Sequence, residues 1–242
     1  MIHNLNLMIK QKTKSKFSKK NKWIITSIVI AIIIFIVFFL DCTTFGTCSG
    51  KTQSLSIGNS PVLGEENAQV IIYEFTDFSC PFCEAAEGAN DYYESALKSK
   101  FPGWEAPVPL IKENYVKTGK AKIVFKYFPG HGAAGAAHAI ALGLQEQNPE
   151  LFWEFAEKAF TMPDDLNSIS KMIELAKTLG ANETLLSEYI SSKKYESQLN
   201  EDIAMGKANG VTGTPTFFIN GEVVAGAQSF SVFEGIIEKE LS

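Results

Sequence analysis

"EFTDFSCPFCEAAEGAN", Glu74 to Asn90, carries two cysteines, Cys80 and Cys83, where an apolar run gives way to a helix-like run. The run leading into it, "QVIIYEF" (69–75), is short, β-branched and aromatic, the composition of a buried strand. After Cys80, Pro81 suits a first helical position, where its missing N–H costs nothing, and the Ala/Glu-rich stretch to about Lys98 suits a helix. The two cysteines admit three roles: a structural staple, two metal ligands, or a pair that trades electrons with other proteins. With 242 residues, 45% of them hydrophobic, the chain buries a sizeable core without a staple. Four cysteines are also too few for a disulfide-dense scaffold.

Outward from the pair, "FPGWEAPVPL" (101–110) reads as a loop, "IKENYVKTGK" as a helix with a glycine stop, and "AKIVFKYF" (121–128) as a second strand. From about 130 to 210 the chain reads as helical, with starts at Asn148-Pro149-Glu150 and Asn182 and a stop at Gly180. "TFFIN" and "EVVAG" flank Asn220-Gly221, a strong two-residue hairpin signal. A last helix is expected from Ser231, with Glu234 completing a capping box. Strand, helix, strand, helical block, hairpin and helix make an α/β domain with the helices inserted in one connection.

Ahead of this domain, residues 1–22 hold seven lysines and no acid, against a total charge of −5, so the remainder carries −12. "WIITSIVIAIIIFIVFFL" (23–40) is uncharged, and at about 1.5 Å per residue it spans roughly 27 Å, near the thickness of a hydrocarbon core. The expected organisation is a cytoplasmic lysine-rich segment (1–22), a single transmembrane helix (23–40), an extracytoplasmic tether (41–62) and a folded domain (63–242). The apolar core exceeds that of a cleaved signal, and no A-x-A-like cleavage site follows it. Outside the cytoplasmic membrane, thiol chemistry is open to all four cysteines, including Cys42 and Cys48. The acidic domain lacks a dense basic run, which argues against nucleic acid as a partner.

In a C-x-x-C pair at a helix start, the first sulfur lies near unpaired backbone N–H groups and the positive end of the helix dipole, and both favour thiolate. Cys80 is then an available nucleophile and a good leaving group, and Cys83, one turn further in, is placed to attack a mixed disulfide on it. A zinc site would need two further ligands at sensible spacing, and none presents itself, so no metal and no cofactor is expected. Glu74, six residues before Cys80, either faces the space beneath the cysteines, where it can take a proton from Cys83, or faces solvent. Pro215 in "VTGTPT" precedes an apolar strand, and the Thr214–Pro215 bond is either cis or an ordinary trans bond at a strand start. His131 and His138 are expected as caps or packed side chains, and "LFWEFAEKAF" (151–160) as core.

Three stretches, "EFTDFSCPFC", "VKTGKAKIVFKYFP" and "GVTGTPTFFINGEVVAGAQ", in this order around a helical insertion, resemble the DsbA-like thiol:disulfide oxidoreductases. The resemblance implies a thioredoxin fold with an inserted helical subdomain, Cys80 as nucleophile, Cys83 as resolving thiol, Glu74 as buried acid and Pro215 as a cis-proline following Thr214. It further implies action on cysteine-containing exported proteins, with a membrane quinone-linked partner restoring the disulfide. The expected function is disulfide donation from Cys80–Cys83. A reductase or isomerase using the same residues is one alternative, and a non-enzymatic metal- or peptide-binding module tethered to the membrane is another. Two features depart from the family. Phe82 stands where strongly oxidising members carry a histidine, and residues 88–106 exceed the usual link after the active-site helix, their "FPGW" being expected to pack at the surface rather than form a lip over the site.

Overall fold

The computed structural model describes residues 55–242 apart from 131 and 133. The lysine-rich segment, the apolar stretch 23–40 and both Cys42 and Cys48 lie outside the described residues, as does His131. Among the described residues no helix is long and apolar enough to cross a membrane.

Five strands form one sheet in the order β1-β3-β2-β4-β5: β1 (Val62–Leu63), β2 (Val70–Thr76), β3 (Ala121–Tyr127), β4 (Thr216–Ile219) and β5 (Glu222–Ala225). The central pair β2 and β3 is parallel, with Val70 opposite Ala121 and Thr76 opposite Tyr127, and every other pairing is antiparallel. Parallel strands need a long crossover and cover on both faces, which explains why β2 and β3 read as nearly unbroken apolar runs. Every residue of β3 is buried. The hairpin between β4 and β5 turns on Asn220 and Gly221, whose φ angles of 47° and 97° are both in the left-handed region. That requirement is why an Asn-Gly pair signals this turn.

The helices are α1 (Pro81–Ala86), α2 (Asp91–Lys100), α3 (Pro107–Ile111), α4 (Gly135–Gln147), α5 (Pro149–Ala159), α6 (Ile169–Thr178), α7 (Glu183–Ser192), α8 (Tyr195–Ala208) and α9 (Phe230–Leu241). The sequence suggests one helix from Pro81 to about Lys98, but two form. Gly88, at φ +70°, turns the chain after α1, and Asn90 caps α2 by accepting from the Tyr93 amide at 3.1 Å. Residues 107–110, expected as loop, start α3 instead, because Pro107 occupies a first-turn position that needs no donor. α3 continues as a π-helical turn over Lys112–Val116. α9 begins at Phe230 after Ser229, and the expected Ser231–Glu234 box is absent.

α4 to α8 fill the connection between β3 and β4. α4 is alanine-rich and buries nine residues, and the aromatic stretch of α5 supplies Phe152, Trp153 and Phe155 to the same core.

The domain also starts earlier than expected. Residues 55–62, expected as tether, place Leu55 and Ile57 against Tyr73 and Val124, bury Ser60 and pair β1 with β3. A buried ion pair fastens this segment. Lys126 Nζ donates to Asp202 Oδ1 at 3.1 Å, to Ser60 Oγ at 2.6 Å and to the Ile57 carbonyl at 3.1 Å. Asp202 also accepts from the Tyr127 amide at 3.1 Å and from Gln198 at 3.0 Å. Removing one partner of such a pair strands a charge in the core, whereas removing both does not. Asp202→Leu is therefore expected to cost about 3–5 kcal/mol, and the double substitution Lys126→Met/Asp202→Leu to recover most of that loss. Guanidinium unfolding midpoints of the three proteins check this.

Candidate active site

β2 ends at Thr76, and the next four residues decide where the cysteines sit. Asp77 is fully buried; its carboxylate accepts from the Ser79 amide at 3.0 Å, the Ser79 hydroxyl at 2.9 Å and the Gly130 amide at 2.9 Å, and meets His138 Nε2 at 3.2 Å. Burial alone would raise its pKa, but these donors outweigh burial and hold Asp77 well below the usual carboxylate range. The Asp77 carbonyl in turn accepts the Cys80 amide at 3.0 Å. Phe78 is driven into the helical insertion, its ring centroid 4.9 Å from both His138 and Phe160. The loop is thus fixed on one side by a buried carboxylate and on the other by a buried ring.

Cys80 is the N-cap of α1, so its sulfur sits beside the amides that open the helix. It is only 1% exposed, and Cys83, one turn on, is fully buried; both are free thiols. Cys80 Sγ lies 3.2 Å from the Thr214 carbonyl, which accepts from it while the thiol is protonated, and the Thr214–Pro215 bond is cis. The Thr214 hydroxyl is buried without a partner in hydrogen-bond geometry, yet lies close enough to favour a thiolate on Cys80.

The two thiols are pushed apart in acidity. The Cys83 thiol, as hydrogen-bond donor, favours the Cys80 thiolate most; burial opposes it; Thr214 and the backbone N–H groups of Cys83 and Phe82 add to it, and the pKa falls to about 6. Cys83 moves the other way. Burial raises its pKa, the neighbouring Cys80 raises it further, and the Thr76 side chain and the Asp77 backbone oppose that rise only in part. One sulfur is ionised at neutral pH and its neighbour holds the proton.

Glu74 is buried on β2 between Phe125 and Phe217, not solvent-facing, and among the described residues neither of its carboxylate oxygens has a partner in good hydrogen-bond geometry. Burial, and then Glu87, push its pKa well above the ordinary value, against Lys112 and Thr76. Thr76 adjoins both Glu74 and Cys83, so the acid and the inner thiol share a neighbour. Lys112 bridges Glu87 and Glu157, each at 3.2 Å. Sequence reasoning singled out Glu74 but not Asp77, Thr76 or Lys112. Only Asp77 had a readable signal, since an Asp two residues before a Ser is a turn-forming pattern. "FPGW" does not simply pack: Trp104 is buried, while Phe101 is half exposed and lines a pocket that also includes Phe82 and Thr214. Among the described residues no group of three or more His, Cys, Asp or Glu side chains converges as a metal site would.

The family model described as DSBA-like thioredoxin domain matches residues 71–238. The chain is 27% identical over 192 residues to disulfide bond formation protein D of Bacillus subtilis, covering 77% of this chain and 79% of that protein. It is 24% identical over 237 residues to a probable disulfide bond formation protein D of Bacillus cereus, covering 92% and 99%. The crystal structure of oxidised BdbD from Bacillus subtilis superposes with a TM-score of 0.63 at 26% identity, over 77% of this chain and 95% of that one.

Alkylation of the reduced protein tests the split between the two sulfurs. Because the Cys80 pKa lies near 6, below the roughly 8.5 of an ordinary thiol, labelling is expected to be fully developed by pH 7 and to fall away as pH drops through about 6. Cys83 stays unlabelled throughout this range. An iodoacetamide rate profile against pH, with peptide mapping of the labelled residue, reads both.

Proposed function

The chain belongs to the DSBA-like thioredoxin domain family and is a thiol:disulfide oxidoreductase, and from that premise we propose that it donates the Cys80–Cys83 disulfide to exported proteins. The observation that carries the donor role is the placement of Cys80 at the head of α1, 3.2 Å from the Thr214 carbonyl beside a cis proline with Cys83 buried one turn on; the acidities support it, Cys80 lowered to about 6 and Cys83 raised. A stabilised thiolate favours the reduced form of the site, and a site whose reduced form is stabilised is a stronger oxidant. At neutral pH this advantage is present; it declines as pH falls through about 6, where Cys80 takes up its proton.

A substrate thiolate attacks Cys80 Sγ, the Cys80–Cys83 bond breaks, and the electron pair stays on Cys83, which takes a proton. A second substrate thiolate then attacks the substrate sulfur of the mixed disulfide, and Cys80 leaves as thiolate. The substrate loses two electrons and two protons; the pair gains both electrons and one proton, on Cys83, and the other proton goes to solvent while Cys80 stays a thiolate. Glu74, its pKa pushed up by burial, is the acid that supplies the Cys83 proton in this direction and accepts it in reverse, with Thr76 beside both. Thr214, joined to Pro215, presents the carbonyl that meets Cys80.

An N-terminal anchor supports the location. The seven lysines of residues 1–22 and the uncharged 23–40 fit a segment that keeps its basic end cytoplasmic and holds the domain outside. Restoring the disulfide requires an electron acceptor, for which a quinone-linked membrane protein is the fitting class.

The test is oxidative refolding of a reduced, unfolded disulfide protein by the oxidised full-length chain. Refolding faster than buffer is expected, together with its loss in Cys80→Ser and in Cys83→Ala, neither of which can form the disulfide that is donated. No acceleration would remove the donor role. Glu74→Gln, which cannot exchange a proton, is expected to slow escape of the mixed disulfide through Cys83 by at least about tenfold near neutral pH, read by acid-quenched gels.

A further inference from the structure

Glu74 and Thr76 stand two positions apart on β2, so their side chains share one face of the sheet, about 7 Å from each other along the strand. That face is the one beneath the cysteines. Ile72 on the same strand, with Phe125 and Phe217 beside Glu74, belongs to the buried cluster that contains Cys80 and Cys83, whereas Tyr73 and Phe75 pack into a separate cluster. Glu74 and Thr76 are both fully buried. Among the described residues, neither the Glu74 carboxyl oxygens nor the Thr76 hydroxyl has a partner in good hydrogen-bond geometry. A hydroxyl enclosed in this manner costs stability that a valine of nearly the same shape would not.

Thr76 is the last residue of β2 and stands between the acid and the inner thiol. Cys83 Sγ lies over the junction of Thr76 and Asp77, close enough for the Thr76 side chain and the Asp77 backbone both to favour a charge on it. The same Thr76 side chain is close enough to favour a charge on the Glu74 carboxyl group. A hydroxyl carries one proton to give and lone pairs to receive another, so it can pass a proton without keeping a charge. β-Branching leaves Thr76 few rotamers, which keeps its hydroxyl in place between these two neighbours.

Resting on the donor reading above, in which Glu74 exchanges a proton with Cys83, we propose that Thr76 is a further catalytic residue, the relay through which that proton passes. When the Cys80–Cys83 bond breaks, its electron pair stays on Cys83; Thr76 Oγ1 gives its proton to Cys83 Sγ and takes the proton of Glu74, which is left as a carboxylate. In reverse, Cys83 attacks a mixed disulfide on Cys80 and gives its proton to Thr76 Oγ1, while the Thr76 proton passes to the Glu74 carboxylate. The hydroxyl ends each passage as it began.

The experiment uses the full-length chain with Cys42→Ser and Cys48→Ser in every variant, so that only the two thiols of the site report. The reduced protein is mixed with a stoichiometric aromatic disulfide, dithiobis(nitrobenzoate). Cys80 releases a first coloured thiolate, and Cys83, attacking the resulting mixed disulfide, releases a second. Thr76→Val is expected to slow the second release at least about tenfold near neutral pH and to leave the first unchanged. The deficit is expected to shrink as pH rises toward the elevated pKa of Cys83, where that thiol loses its proton unaided. Thr76→Ser, which keeps the hydroxyl, is expected to restore most of the rate, and Thr76→Val added to Glu74→Gln to cost nothing further, because both act on one path. A second release as fast in Thr76→Val as in the unsubstituted protein, with Glu74→Gln slow, overturns the relay and leaves the acid role of Glu74 standing. A deficit that is equal at every pH, that Thr76→Ser does not relieve, or that multiplies with that of Glu74→Gln also overturns it. Absence of the second release in the unsubstituted protein strikes the exchange chemistry itself, and this proposal with it.

Discussion

A sulfur anion inside a protein persists only where hydrogen-bond donors replace the water it has lost. Cys80 is almost wholly enclosed, and burial alone would keep it protonated. What reverses the balance is local and specific: the thiol of Cys83, the side chain of Thr214, and two amides at the head of α1. The inner sulfur holds its proton and offers it to the outer one, and the fold fixes both sulfurs in place.

That service begins in the sheet. β2 sits in the middle of the five strands and delivers the loop from its buried end. The loop is then fixed from two directions, by the Asp77 carboxylate with its several donors and by Phe78 among the aromatic rings of the insertion. β4 brings Thr214 in from the other side, antiparallel to β2. The helical insertion is thus part of the site: it supplies His138 to Asp77 and the packing around Phe78. Below lies Glu74, a carboxyl group set between Phe125 and Phe217, whose burial raises its pKa and costs stability.

Much of this was legible in the sequence because it depends on local chemistry. The apolar period of β2 and β3, proline at the head of α1, the Asn-Gly hairpin and the C-x-x-C spacing each report a backbone requirement that few residues meet. What escaped depends on distant partners. Val62 and Leu63 are too short a run to announce a strand, and only pairing with β3 makes them one. Lys126 looks like a solvent-facing strand residue until Asp202, from a helix far along the chain, is brought beneath it. Asp77 was passed over beside the more conspicuous cysteines, and Thr76 gains its meaning only from what adjoins it. Two prolines in "APVPL" suggested a loop, although proline is as much at home in a first helical turn. The arm between α1 and α3 is a similar case, since nothing in "DYYESALKSKFPGW" shows that its far end is nailed down by a tryptophan while its middle stands clear of the core.

The central claim is that the site stabilises its reduced form enough to make the disulfide an oxidant. The equilibrium of the full-length protein with reduced and oxidised glutathione measures this directly. A potential on the oxidising side of the glutathione couples, about −200 mV or higher, is expected; a value near about −270 mV, that of thioredoxin, would rule out the donor role.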